Sequence, residues 1–387
     1  MTIYFFIIFI VLIISFFSVD KRINSDYHFF FGLFFTITLG IIAGTRLVGY
    51  DFSTYLQHFN RVPDLFDYQR TDISIEVGYE MIVSILKTLN ASFNVFLICY
   101  ATITLIFIFY LSFKYSPIPL LTIAMFFSYS FFFQVMGQMR QPFAILFLYT
   151  ALIPLVLRKK YLLSCLIIII STICFHKSSI FCFAIFLLSD RVLKYKHFIF
   201  CTIIAIGFYI FSTQIMKGML LFIPKSFPLY GALEAYTTYK STSFSFSLGM
   251  IERIGMFLLL LYFANKHKLY QTNQKLRLFI NIYFTGICIY FSFISVAAEF
   301  ATRGTFFFVY SLFFAMPILI SKVPLKSKYI LYLITILWCT YLSSGIIRDS
   351  SENKEYIPYD STLFHAEKQS IESKSINSII YPLYQTI

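Results

Sequence analysis

Long apolar runs alternate with short polar stretches along the whole chain. We delimit about twelve apolar segments, at residues 2–19, 28–45, 91–113, 117–134, 142–157, 161–174, 179–189, 198–223, 248–265, 278–298, 305–320 and 329–346. A helix of ~20 apolar residues is long enough to cross ~30 Å of bilayer hydrocarbon. The pattern predicts an all-α polytopic membrane protein with 10–12 hydrophobic segments.

The polar positions divide this chain further. We predict a single membrane domain over residues 1–346, with outer loops at 46–90 and 224–247. A polar tail follows at 347–387, and we expect it to be loosely ordered and to carry no catalytic residue.

A short hairpin is predicted at residues 161–189. Its two apolar arms are joined by the polar stretch FHKSS (Phe175–Ser179), and basic clusters flank the hairpin at both ends. Because basic clusters beside membrane segments stay in the cytoplasm, the tip points outward. His176 and Lys177 at this tip are either a functional pair within the membrane or simply a tip that reaches water.

Composition and charge support the membrane assignment and explain the basic character. Of 387 residues, 59% are hydrophobic and 13% charged, whereas about a quarter are charged in soluble proteins. With Arg158–Lys160 placed inside, the cytoplasmic loops carry 16 basic and 3 acidic residues, which accounts for the net charge of +13. This asymmetry predicts that both termini lie outside, and it argues against a nucleic-acid partner.

The outer stretch at 46–90 carries candidate binding and catalytic side chains. It contains Arg46, Asp51, Tyr55, Glu76 and Glu80, and the helical spacing after Glu76 allows the two glutamates to share one face. Carboxylates mixed with tyrosines can hydrogen-bond and stack on sugars. An ordinary solvated loop has the same composition, so both interpretations stay open.

Further arginines lie where predicted helices meet the outer surface. The cations assigned to this surface are Arg46, Arg140, His176, Lys177, Arg253 and Arg303. Gln141 follows Arg140 directly. Single arginines of this kind often reach toward lipid head groups, but several on one side suit a pocket for a diphosphate. The implied substrate is a lipid diphosphate, with Asp51, Glu76, Glu80 or His176 as candidate base.

Known cofactor and metal motifs are missing from the sequence. The chain has no D-x-D, H-E-x-x-H, P-loop or G-x-S-x-G pattern, and its seven cysteines lie in apolar runs without metal-ligand spacing. We expect neither a metal nor a cofactor, because arginines can neutralise a departing diphosphate.

Four short motifs occur in a characteristic order. They are R-x-x-x-x-D-x-x-x-Y (Arg46, Asp51, Tyr55), E-x-G-Y (Glu76, Gly78, Tyr79), R-Q-x-x-A (Arg140, Gln141, Ala144) and F-H-x-S-S (Phe175, His176, Ser178, Ser179). Over about residues 40–190 the chain resembles the EpsG family of Wzy-type bacterial polysaccharide polymerases.

The resemblance implies a metal-independent glycosyltransferase of the bacterial inner membrane that acts on the periplasmic side. It would join undecaprenyl-diphosphate-linked repeat units into O-antigen or exopolysaccharide, with a chain-length regulator as a possible partner besides the bilayer. The implied catalytic residues are Asp51, Glu76 and His176. The implied substrate-binding residues are Arg46, Tyr55, Arg140 and Gln141. To these we add, from their charge and their place at the predicted outer surface, Glu80, Lys177, Arg253 and Arg303.

Two alternatives remain: an O-antigen ligase, and a flippase or transporter of the lipid-linked unit. A transporter is expected to carry ionisable residues near mid-membrane on repeated halves. In this chain the charges collect on one face and no internal repeat is visible, which favours the enzyme.

Overall fold

The computed structural model describes most of the chain as helix. The described residues are 2–19, 25–70, 75–188, 191–222, 224–225, 230, 234, 248–295, 298–353, 356 and 358–363. Within them the only β pairing is a single antiparallel bridge between Arg46 and Ser361. The all-α fold predicted from the sequence is confirmed.

Within the described residues, each predicted apolar segment corresponds to one or more helices. The first part contains α1 (Thr2–Val19), α2 (Ser25–Gly44), α3 (Phe52–Arg61), α4 (Val77–Thr88), α5 (Phe93–Tyr115) and α6 (Pro119–Phe126), which continues as a π-helix (Phe127–Gly137). The middle contains α7 (Arg140–Leu157), α8 (Tyr161–Cys174), a 3₁₀ helix (Lys177–Ala184), α9 (Ile185–Leu188) and α10 (Tyr195–Phe222). The last part contains α11 (Leu248–Lys266), α12 (Leu269–Thr272), α13 (Gln274–Phe293), α14 (Ala298–Lys322) and α15 (Leu325–Asn353).

Nine helical stretches in the described residues are long and apolar enough to cross a membrane. The two arms of the predicted hairpin are shorter, at Tyr161–Cys174 and Lys177–Leu188. The protein is a multi-pass membrane protein, while the count of 12 segments and the outer position of both termini stay predictions.

The core is built around α6 with its π-helix and around α14, which are the most buried of the candidate spans. Aromatic rings fill the space between them. Tyr149 of α7 packs against Phe307 and Phe314 of α14, and its hydroxyl donates to the Phe307 carbonyl over 2.8 Å. The hydrogen bond satisfies the buried hydroxyl, as a low-dielectric interior requires.

The predicted outer loop at 46–90 is largely helical in the described part. Its helices α3 and α4 pack on the start of α5 through an aromatic cluster that includes Tyr55, Phe59, Tyr79 and Phe96. This packing gives the loop a fixed position above α5. Of the second predicted loop, 224–247, the described residues are only 224, 225, 230 and 234.

The described part of the polar tail is ordered, whereas residues 364–387, on which most of the expectation of loose order falls, lie outside the described residues. Helix α15 continues to Asn353, and residues 358–363 return to the end of α2. Thr362 donates its amide to the Thr45 carbonyl over 2.8 Å, and the Leu47 amide donates to Asp360 over 2.9 Å. These residues therefore pack against the segment that carries Arg46. The domain boundary at 346 stays a prediction.

Candidate functional site

An ion pair between Arg140 and Glu76 forms the centre of the candidate site. Arg140 begins α7 and Glu76 immediately precedes α4, and their Nη1 and Oε2 atoms are 2.6 Å apart. The second oxygen of Glu76 accepts the backbone N–H of Lys177 over 3.1 Å. The Tyr55 hydroxyl is hydrogen-bonded to Arg140 as well. Side chains and backbone from three distant parts of the sequence are thus held together.

The π-helix places the residues that precede Arg140. Its last bond runs from the Gln138 amide to the Phe133 carbonyl over 2.8 Å, and helix α7 begins two residues later. Pro142 lies in the first turn of α7, where a missing N–H costs little. Wide π turns recur at functional sites, and here the turn brings Gln138 and Gln141 side by side.

A chain of amides connects Arg303 to the hairpin tip. With its amide oriented to satisfy both neighbours, Gln138 accepts from Arg303 Nη2 over 3.2 Å and donates to Gln141 Oε1 over 3.0 Å. Gln141 Nε2 in turn donates to the Ser178 hydroxyl over 3.2 Å and to the Arg303 carbonyl. The two glutamines therefore fix Arg303 relative to Ser178.

His176 is held in one tautomer at the hairpin tip. Its Nδ1 accepts the Ser178 N–H over 3.2 Å and lies 2.6 Å from the Ser178 hydroxyl. Because that nitrogen is an acceptor, the hydrogen of the neutral ring lies on Nε2. Burial, together with the charges of Arg140, Arg303 and Lys177, lowers the pKa of His176 to about 3.

The Nε2 hydrogen is the feature that this arrangement leaves available. Within the described residues Nε2 of His176 has no hydrogen-bond partner. At neutral pH the ring can donate from Nε2, whereas its unprotonated Nδ1 is already occupied by Ser178 and is not open to a substrate proton. The side chain of Lys177 beside it is exposed.

Asp51 lies at the start of α3, partly exposed, and its side chain does not cap that helix. Its charge acts on the Tyr55 hydroxyl, which also contacts Arg140. Asp51 therefore belongs to the surroundings of the Arg140 pair. Glu76 accepts two hydrogen bonds, one from Arg140 and one from the Lys177 amide.

Arg46 is enclosed near this centre but does not touch the Arg140 pair in the described contacts. It is 1% exposed, and its Nη1 donates to the Ala43 carbonyl. Burial lowers its pKa to about 10, and the hydroxyls of Tyr356, Tyr100, Tyr55 and Tyr359 act against this shift. Tyr55 is the residue that it shares with Arg140.

Glu80 and Arg253 belong to separate clusters. Glu80 lies 3.4 Å from His58 Nε2 and accepts the Tyr68 hydroxyl over 3.1 Å. Glu76 and Glu80 therefore enter different networks. Arg253 donates to Tyr129 over 3.1 Å and lies 4.1 Å from the centre of the Tyr290 ring. The structure therefore joins Arg140 and Arg303, and leaves Arg46 and Arg253 in aromatic surroundings beside them.

Two residues of the network were not among the sequence candidates, namely Gln138 and Ser178. Gln138 could have been found from its helical spacing to Gln141, and Ser178 from its place in the FHKSS stretch. Among the described residues no group of three His, Cys, Asp or Glu could hold a metal ion. Independence from metals stays a prediction.

Comparison with known proteins identifies one family. The model of the EpsG family matches residues 28–361, which extends the resemblance beyond 40–190 to Arg253, Arg303 and the returning tail. No curated protein and no solved structure matches the chain. The protein therefore belongs to the EpsG family, which supports a function of the polysaccharide-polymerase type.

Proposed function

We propose that this protein polymerises undecaprenyl-diphosphate-linked oligosaccharides into O-antigen or exopolysaccharide on the outer face of the bacterial inner membrane. The observation that carries the proposal is the network of Arg140, Arg303, Gln138, Gln141 and His176. It presents two fixed guanidinium groups and one neutral N–H donor at a single place. Such donors suit the developing charge of a diphosphate leaving group.

The residues take distinct parts in this reaction. A hydroxyl of the acceptor sugar attacks the anomeric carbon of the donor, the bond from that carbon to the diphosphate oxygen breaks, and the diphosphate takes the electron pair. Arg140 and Arg303 bind the diphosphate, and His176 donates from Nε2 to one of its oxygens. No metal is needed for this step, because the cations neutralise the charge that develops.

The proton of the attacking hydroxyl goes to Asp51. Glu76 is engaged by Arg140 and by the Lys177 amide, so its part is to fix Arg140. The occupied Nδ1 of His176 and its low pKa argue for a donor rather than a base at this position. Of the three proposed catalytic residues, Asp51 therefore acts as the base. The Tyr55 hydroxyl lies between Asp51 and Arg140.

The test is complementation of a strain that lacks this gene but keeps the rest of its polysaccharide cluster. Replacing Arg140 with alanine removes a fixed donor to the leaving group, for which we expect a loss of at least ~100-fold in polymerisation rate. A polysaccharide gel is expected to show a long ladder with the wild type and only single repeats with Arg140→Ala.

Arg61→Ala is the matched control, because Arg61 is an exposed arginine at the end of α3 in the same outer region. It is expected to restore the full ladder at equal protein level. A ladder of normal length with Arg140→Ala would refute the assignment of the site. Loss of all surface repeats in the deletion strain would instead indicate a step before polymerisation and favour the flippase.

A further inference from the structure

A cleft of about 480 Å³ lies between α10, α11 and α13. None of the 16 described residues that line it is charged, and all belong to candidate membrane spans. Its one threonine, Thr202, donates its hydroxyl to the Phe198 carbonyl over 2.8 Å, which satisfies that hydroxyl within its own helix. A cleft of this size and character binds hydrocarbon rather than a polar ligand.

Hydrogen bonds hold α10 to its neighbours at both ends of the cleft. At one end Asn265 donates to the Tyr195 hydroxyl over 3.3 Å. At the other end the hydroxyls of Ser212 and Ser295 are 2.6 Å apart, and Ser295 donates to the Tyr209 carbonyl over 3.2 Å. The lining from Tyr195 to Tyr209 extends over ~21 Å, about two thirds of the ~30 Å hydrocarbon layer.

The second end of the cleft adjoins Arg253 and the start of α14, the helix that carries Arg303. Ile254 lines the cleft and directly follows Arg253, whose guanidinium lies 4.1 Å from the centre of the Tyr290 ring. Tyr209 packs at the same place against a buried cluster that includes Tyr290 and Ala301. Arg303 follows two residues after Ala301 on α14. A chain lying in the cleft therefore emerges among cationic helix ends.

We propose that this cleft binds the polyprenyl chain of the lipid-diphosphate substrate, with the diphosphate at Arg303 and Arg140. The inference rests on the proposed function and adds the part of the substrate that the polar network does not touch. Charge selects this occupant over a bilayer phospholipid. A diphosphate brings at least two negative charges to two guanidinium groups and Lys177, whereas a phospholipid brings a single phosphate.

Ala205 and Gly207 on α10 provide a matched pair of substitutions. Ala205 lines the cleft and is 3% exposed, so Ala205→Phe places a ring inside it. Gly207 has no heavy atom within 4 Å of where a Cβ would lie, so Gly207→Phe adds the same ring outside the cleft. Ala205→Leu adds a smaller side chain to the same cleft and serves as the second variant if Ala205→Phe does not fold.

Binding is measured on the purified full-length protein in detergent by native mass spectrometry. The two probes are undecaprenyl diphosphate and geranyl diphosphate, which have the same head and chains of very different length. The wild type is expected to bind the long probe at least about tenfold more tightly. Ala205→Phe and Ala205→Leu are expected to remove most of that advantage without weakening the short probe, and Gly207→Phe to keep it.

The proposal is overturned if the folded Ala205 variants keep the full chain-length advantage. It is also overturned if they lose a copurifying phospholipid while undecaprenyl diphosphate binds as before, because the cleft then belongs to bilayer lipid. Failure of the proposed function has a different signature. The wild type would show the chain-length advantage that Ala205→Phe removes, but would not restore the polysaccharide ladder in cells.

Discussion

His176 is fixed as a hydrogen-bond donor by two contacts with Ser178 that occupy its Nδ1. An asparagine can donate from its amide without titrating, whereas an alanine cannot donate at all. We expect His176→Asn to keep a measurable part of the polymerisation rate and His176→Ala to lose at least about tenfold more. Polymerisation assays on membranes check this, and equal rates in the two variants would refute the donor role.

The low pKa of His176 has a consequence for stability. The ring titrates near 3 in the folded protein and near 6.5 when unfolded, so the unfolded state binds more protons between these values. Above the pKa of the unfolded state, the neutral ring makes its full contribution to the stability of the folded protein. This contribution is lost as the pH falls toward the pKa of the folded state.

The matching measurement compares the wild type with His176→Asn in thermal unfolding. From about pH 7.5 to about pH 5, the wild-type midpoint is expected to fall further than that of the variant, which has no titrating ring. Parallel midpoints over this interval would show that His176 titrates normally in the folded protein.

At the scale of single residues, the sequence supplied most of the side chains but not their partners. Arg140, Gln141, Glu76 and His176 were predicted and lie in one network. The helical spacing allowed Glu80 to share a face with Glu76, yet Glu80 lies beside His58 in another cluster. Such partners depend on how the loop folds over α5, which local spacing does not determine.

Helices α13 and α14 approach each other closely at Gly286. A Cβ added there would lie 2.3 Å from the Cβ of Phe308 on α14. Neither the helix backbone nor a Cβ can move easily, so we expect Gly286→Ala to destabilise the protein by about 1–3 kcal/mol. A lower unfolding midpoint in detergent, with less protein in the membrane, checks this.

Gly255→Ala on α11 is the control for that substitution. Gly255 is exposed, and a Cβ there would meet no heavy atom within 4 Å. Because alanine is the better helix former, this change is expected to be neutral or to stabilise by up to about 1 kcal/mol. Equal midpoints for the two alanine variants would contradict the close packing at Gly286.

At the scale of elements, apolar periodicity predicted the helices well. The predicted segments 161–174 and 198–223 correspond to Tyr161–Cys174 and Tyr195–Phe222. The π-helix at Phe127–Gly137 was not predicted, because an apolar aromatic run has the same pattern in an α-helix and a π-helix. Of the two helices in the 46–90 stretch, α4 was predicted from the helical spacing after Glu76. Helix α3 was not predicted, because its sequence is largely polar.

The returning tail is a property of the whole molecule, and it encloses Arg46. Ending the chain after Asn353 removes the contacts of Ser361 and Tyr359 with Thr45 and Ile42. We expect this truncation to abolish the polysaccharide ladder while the protein stays in the membrane. Ending the chain after Leu363 keeps these contacts and is expected to keep the ladder. A normal ladder from the chain that ends after Asn353 would show that polymerisation does not need the tail.

The sequence could not reveal this contact, because nothing local marks Tyr356 and Ser361 as buried. Their polar and aromatic composition suits a solvated tail equally well. The contact depends on how the start of α1 and the ends of α2 and α15 are placed in the bundle. For example, the Tyr4 hydroxyl near the start of α1 donates to the Tyr356 carbonyl over 3.4 Å. Only the assembled bundle brings these ends together.

This contact also sets the order in which the protein matures. Thr45 and Ser361, whose hydroxyls are 2.9 Å apart, are separated by 316 positions along the chain. During synthesis Arg46 is among the first site residues to be made, but its enclosure waits for nearly the last described residue. A chain that ends before residue 361 therefore leaves Arg46 uncovered, and translation past this residue becomes a condition for a complete site.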